Sequence, residues 1–258
     1  MKDEYLLPSY LQAGISNPAT IVFLHGIGST SLTWQPSLAS FSSTRRVLAW
    51  NAPGYADSAP IASDAPVIAD YAQRLSDLLD SVNVKAATVV ASSWGATIAM
   101  SLASRHPHHV SRLVLSGPTA GFAHLSERDR LDMHAARARR ATELGLQEMF
   151  AQDAAKPATD AAASGARHVD RAGVNLAGYL QALRTLFAFD GVATAAQVMQ
   201  PTLIICGELD TIAPPDKHAR RLAAALPAAS IQELTSCGHL PHQEQPQAFH
   251  AAVKNFIA

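Results

Sequence analysis

Short apolar runs recur along the 258-residue chain, each closed by glycine, proline or small polar residues. The runs at Ile21–Leu24, Arg46–Trp50, Thr88–Ala91, Arg112–Ser116, Thr202–Cys206 and Ile231–Leu234 are short and rich in Val, Ile and Leu. They predict strands buried on both faces, as in parallel sheets. Most are separated by stretches with helical spacing. Pro66 to Leu79 carries apolar residues at Val67, Tyr71, Leu75, Leu78 and Leu79, which gives one stripe for the core. Ala96 to Ala103, Pro214 to Leu226 and Gln247 to Ile257 predict helices of the same kind. Alternation of this type predicts an α/β fold with a mostly parallel, doubly wound sheet.

The alternation stops between Pro118 and Gln200, where no strand is expected. That stretch is rich in Ala and Arg and predicts helices at Glu127–Leu144, Leu146–Gln152, His168–Arg171 and Leu176–Phe189, with a loop from Lys156 to Gly165. The expected organisation is a core of residues 1–117 and 201–258 with a helical cap at 118–200.

The chemistry sits at the ends of the expected strands. Ala91-Ser92-Ser93-Trp94-Gly95 joins a strand directly to a helix. Small residues at positions 91 and 95 allow the close approach that a strained nucleophile turn needs, and their spacing selects Ser93 over Ser92. Gly207-Glu208-Leu209-Asp210 follows the strand at Thr202–Cys206, and Cys237-Gly238-His239 follows the last strand. Loops past strand C-termini are where open α/β sheets place their ligands. In the order Ser93, Asp210, His239, the serine attacks a carbonyl, the histidine moves the proton, and the aspartate holds the imidazole. Glu208 and His242 are the rivals on the same loops, and His25 reads as a loop-organising residue. His25-Gly26-Ile27-Gly28 closes the first predicted strand, and its glycines free backbone N–H groups to face a bound oxygen. The N–H of Trp94, at a helix N-terminus, supplies a second donor.

These segments, together with Asn51-Ala52-Pro53-Gly54-Tyr55-Ala56-Asp57-Ser58 and Gly238-His239-Leu240-Pro241 followed by Glu244 and Pro246, resemble the α/β-hydrolase fold along almost the whole chain. Within it the chain looks most like small ester and lactone hydrolases of the 3-oxoadipate enol-lactonase group. The resemblance implies that Ile27 and Trp94 give the oxyanion-hole N–H groups and that the cap covers the serine. It also implies hydrolysis of a small ester or lactone through an acyl-enzyme. Two departures from the family pattern, Asn51 for Asp and Tyr55-Ala56 for His-Gly, bear on substrate more than on mechanism. A C–C bond hydrolase shares the same machinery, although such enzymes often carry Asn where this chain has Ser92. A non-catalytic small-molecule receptor of the same fold is a further alternative.

Composition narrows the field. A formal net charge of −1 gives no reason to expect nucleic acid or an anionic membrane as partner. No run approaches the length of a membrane span, and the start of the chain lacks a leader-like apolar segment, so a cytoplasmic protein is expected. The two cysteines, Cys206 and Cys237, are expected as reduced thiols. The 11 histidines form no Cys/His set with zinc spacing, and His106-Pro107-His108-His109 reads as a solvated loop. No metal or cofactor is expected. Arg137, Arg139 and Arg140 read as a solvated helix face, and the chain as a monomer or small homo-oligomer.

Overall fold

The computed structural model describes residues 7–15, 19–155 and 173–258. Among the described residues seven strands form one sheet: β1 (Tyr10–Gly14), β2 (Thr20–Leu24), β3 (Arg46–Trp50), β4 (Ala87–Ser92), β5 (Val110–Ser116), β6 (Thr202–Gly207) and β7 (Ala229–Leu234). Their spatial order is β1-β3-β2-β4-β5-β6-β7. Every pairing is parallel except that of β1 with β3. The six expected strands are all present. The seventh, β1, is an edge strand whose exposed, mixed sequence Tyr-Leu-Gln-Ala-Gly carries no run of apolar residues.

The helices are α1 (Gln35–Phe41), α2 (Ile68–Ser81), α3 (Trp94–Arg105), α4 (Glu127–Leu144), α5 (Leu146–Ala155), α6 (Leu176–Ala188), α7 (Gly191–Ala195), α8 (Ala219–Ala225), α9 (Pro241–Glu244) and α10 (Pro246–Ile257). Alternate residues of each inner strand face opposite layers. Val22, Leu24, Val89 and Ala91 join Tyr71, Leu75 and Leu79 of α2 and Ile98 of α3 on one side. Ile21, Phe23, Val90 and Val114 join Phe41 of α1 and Phe249 and Val253 of α10 on the other. Two local expectations change. Val67 is exposed and Ile68 takes its place in the α2 stripe, because Val67 is the residue before the helix and Asp70 accepts its N–H at 2.8 Å. Pro214 opens a turn rather than α8, with Lys217 and His218 both donating to its carbonyl.

Between β5 and β6 the described residues hold α4, α5, α6 and α7 and no strand. The helix expected at His168–Arg171 and the loop expected at Lys156–Gly165 lie outside the described residues. Helix α6 lies directly on the core loop after β3. A Cβ on Gly54 would stand 2.7 Å from the Gly178 Cα, so both positions require glycine. The Asn175 amide, which also caps α6, donates to the Gly54 carbonyl at 2.6 Å. Helix α7 packs on α3 and α8.

Replacing Gly178 with alanine drives a methyl group into the Gly54 backbone. The expected cost is about 1–3 kcal/mol, read as a melting temperature lower by several degrees. An unchanged melting temperature would mean that α6 does not need this contact.

Candidate active site

Helix α3 begins where β4 ends, and the two are joined through Ser93 alone. Its backbone is in the left-handed region, with φ 51° and ψ −118°. A non-glycine residue there costs on the order of 1–3 kcal/mol and persists only where its surroundings impose it. Two contacts impose it here. The Ser93 N–H donates to the Ser116 carbonyl at 2.9 Å. Gly95 lies so close to the end of β2 that a Cβ would sit 2.6 Å from the His25 carbonyl oxygen.

The Ser93 hydroxyl reaches His239, with Oγ 2.9 Å from Nε2. On the far side of the ring, Nδ1 is 2.8 Å from Asp210 Oδ2. The other Asp210 oxygen, Oδ1, accepts the N–H groups of Ile212 and Ala213 at 2.9 and 2.8 Å. Burial by itself would raise the Asp210 carboxyl. The adjacent His239 ring and the two N–H donors outweigh it and hold the group below its ordinary value. A carboxylate that stays ionised fixes the imidazole with Nδ1–H toward itself and Nε2 toward the serine.

The rivals are placed elsewhere. Glu208 is on the surface side of the loop, accepting the Ser236 N–H at 3.0 Å. His242 is buried, stacked on Trp34 at 4.2 Å between ring centroids, with Nε2 3.0 Å from Thr33 Oγ1. Ser92 is the last residue of β4 and is buried. His25 organises its loop, Nδ1 donating to the Gly26 carbonyl at 2.9 Å and Nε2 accepting from Ala52 N at 3.0 Å.

The loop after β2 has a definite polarity. The Gly26 carbonyl accepts from His25 Nδ1, from Ser29 N at 3.2 Å and from Ser29 Oγ at 3.3 Å. That carbonyl shares a peptide unit with the Ile27 N–H, which in a trans peptide points the opposite way. Gly26 itself borders the serine, since a Cβ there would lie 3.4 Å from Ser93 Cβ. The Trp94 N–H is the first of α3 and has no acceptor within the helix.

The contacts made by several supporting residues escaped the sequence reading. Glu244 straddles the histidine loop, Oε2 accepting from Gly238 N at 2.6 Å and Oε1 from Leu240 N at 2.9 Å. Tyr55 donates its hydroxyl to the Ile27 carbonyl at 2.9 Å. The Trp94 indole is buried beside His25, Tyr55 and Tyr71 and donates to Thr185 Oγ1 of α6 at 3.0 Å. His218 accepts the Ala120 N–H at 3.1 Å. No spacing rule marks such partners, because they arrive from distant segments.

The cap arginines divide. Arg139 is exposed as expected. Arg137 and Arg140 are not a solvated face: both grip Asp153, at 2.7 and 2.6 Å, and Arg137 Nε also donates to the Tyr179 hydroxyl at 2.9 Å. Their neighbours Met149, Phe150, Tyr179 and Leu183 form a small apolar cluster with Ile27 against it. The Phe150 ring edge lies over Gly28. Both cysteines are buried thiols, and burial pushes Cys206 up to about 11 and Cys237 to about 12, far from a reactive thiolate.

A family model described as the alpha/beta hydrolase fold matches residues 19–246. The chain belongs to the α/β-hydrolase fold family. The family supports hydrolase activity. The hydrolase is 28% identical, over 92% of its length and 87% of the relative's, to 2-hydroxy-6-oxononadienedioate/2-hydroxy-6-oxononatrienedioate hydrolase 2 of Pseudomonas putida. A crystal structure of a hydrolase from Pseudomonas aeruginosa PA01 superposes with a TM-score of 0.84 at 26% identity, covering 97% of this chain and 94% of that one. The enol-lactonase from Burkholderia xenovorans LB400 shares the fold with a TM-score of 0.84 at 24% identity, covering 97% and 96% of the two chains. Among the described residues of this α/β-hydrolase, no helix is long and apolar enough to cross a membrane.

Three buried imidazoles make the hydrolase acid-sensitive. Burial lowers His25 and His218 to about 4 and His242 to about 3, from an ordinary 6.5. The unfolded chain therefore binds protons that the folded chain refuses. Their contribution is complete above pH 6.5 and is lost as pH falls toward 4. With all three engaged, the slope approaches about 4 kcal/mol per pH unit. Urea midpoints measured from pH 7.5 to 4.5 should fall steeply below pH 6.5, and a flat profile would contradict the neutral state of these rings.

Proposed function

We propose that this chain is a serine hydrolase that cleaves a small carboxylic ester or lactone through an acyl-enzyme on Ser93. The observation that carries the proposal is the unbroken relay of Ser93 Oγ, His239 and Asp210, with links of 2.9 and 2.8 Å. In this reading His239 Nε2 takes the serine proton as Oγ attacks the substrate carbonyl. The developing oxyanion is met by the N–H groups of Ile27 and Trp94. His239 then returns the proton to the leaving oxygen, and water repeats the cycle on the acyl-Ser93 ester. Asp210 remains ionised throughout and stabilises the imidazolium.

The apolar side chains beside the glycine loop favour an apolar acyl group. Ile27 and Phe150 border the glycine loop, and the cap arginines nearest them, Arg137 and Arg140, are already paired with Asp153. A second reading, C–C bond hydrolysis of a dienoate, is favoured by one observation. The relative from Pseudomonas putida, matched over 92% of this chain, is named for such a substrate.

A panel of short and medium acyl esters, enol-lactones and a dienoate, assayed with wild type and variants, tests both readings. Ser93→Ala and His239→Ala should each lose at least about 10³-fold in turnover, and Asp210→Asn about 10⁴-fold, with the fold intact. Turnover confined to the dienoate would promote the second reading. Near-normal activity in His239→Ala would remove the assigned base.

The histidine loop gives a further test. Glu244→Gln keeps the shape but halves the acceptor capacity, so one of the two loop N–H groups loses its partner. Turnover should fall about 10-fold or more while KM changes little, since the loop carries the base and not the substrate. An unchanged kcat would show that the loop is held without Glu244.

A further inference from the structure

In the turn before β5 (Pro107–His109), Pro107 and His108 are exposed as a solvated loop would have them, and His109 departs from that reading. His109 is buried against α2. Its Nδ1 lies 3.1 Å from the Val84 carbonyl oxygen, an atom that only accepts, so Nδ1 carries the hydrogen. That leaves Nε2 with a lone pair in the neutral ring. Nε2 faces the Ser76 hydroxyl at 3.1 Å and Asp80 Oδ1 at 3.5 Å. The Ser76 hydroxyl can donate to this lone pair, and a cation seated between Nε2 and the carboxylate would take the lone pair in its place. The His108 ring stands beside, 4.1 Å from the His109 ring centroid. Among the described residues, Asp80, His108 and His109 are the group whose ligand atoms all fall within 4.8 Å of one another.

We propose that Asp80, His108 and His109 form a surface site for a zinc-like divalent transition-metal ion that clips the end of α2 to the turn before β5. The spacing fits. Ligands about 2.0–2.1 Å from a tetrahedral ion sit ~3.3 Å apart, and His109 Nε2 and Asp80 Oδ1 are 3.5 Å apart already. Two imidazoles and one carboxylate are a borderline ligand set that prefers zinc over calcium or magnesium. The backbone carbonyl on His109 Nδ1 is the usual outer partner that fixes a metal-bound imidazole. The turn is held in place without any ion. The His108 carbonyl accepts the Ala86 N–H at 2.9 Å, and the His109 N–H reaches the His106 carbonyl at 3.0 Å. The exposed Asp80 and His108 leave room for water as a fourth ligand. The site lies at the N-terminal end of β5. Ser93 follows the C-terminal end of β4, about six residues or ~20 Å along the sheet. The ion would therefore act on stability and not on the reaction.

The test is thermal unfolding of the EDTA-stripped full chain, titrated with zinc chloride and, separately, with magnesium chloride. Zinc at about 100 times its dissociation constant should raise the wild-type melting temperature by roughly 5 °C, with one ion bound by calorimetry. Magnesium should not. His108→Ala and Asp80→Asn change exposed side chains and should fold normally but lose the zinc shift. No zinc shift in wild type would overturn the proposal. So would a shift retained in both variants, or an equal response to magnesium.

Discussion

The close packing of α3 on the end of β2 is the constraint from which the rest of the site follows. Gly95 meets the His25 and Leu24 carbonyls with no side chain between. This approach, with the Ser93 N–H bond to the Ser116 carbonyl, holds Ser93 in a left-handed conformation that its side chain disfavours. The strain has a geometric product. The serine is lifted clear of both strand and helix, the Trp94 N–H is left at the head of α3, and the glycine loop after β2 is brought beside Ser93. A larger residue at Gly95 would relax the turn and separate these groups together.

The histidine side of the site relies on the opposite device, many polar clamps on a short loop. His239 follows buried Cys237 and Gly238 and is itself only half-buried. Glu244 accepts from the residue on each side of it. Gly117 and Gly207 let β5 and β6 come up against the loop backbone. Asp210 is immobilised by its own turn before it meets the imidazole. Asp210 and Glu244 each have both carboxylate oxygens engaged, and His239 has a partner at each ring nitrogen, which keeps these charged and polar groups tolerable in a low-dielectric site.

A third element links core and cap. The Trp94 indole sits among His25, Tyr55 and Tyr71 and reaches Thr185 of α6. Tyr55, one of the two departures from the family pattern, ties the Ile27 peptide to the same cluster. One aromatic group thereby contacts α6 through Thr185 and the loop after β2 through the Ile27 carbonyl. The contact of Gly54 with Gly178 fixes the height at which α6 rides over that cluster.

The chain's apolar periodicity alone determined six strands, the main helices and the place where the alternation gives way to helices. The reason is that continuous apolar runs and helical stripes record burial locally. Ser93, Asp210 and His239 were legible for a related reason: strand ends carry chemistry in this architecture, and glycine and small residues mark the turns. Edge strand β1 was not legible, because an exposed strand has no hydrophobic signature. Nor were the roles of Glu244, Tyr55 and Thr185, the pairing of Arg137 and Arg140 with Asp153, or the burial of His109 beside Asp80. Those are contacts between segments far apart in the chain. Their partners are chosen by the packing of whole elements, and only the tertiary structure decides them.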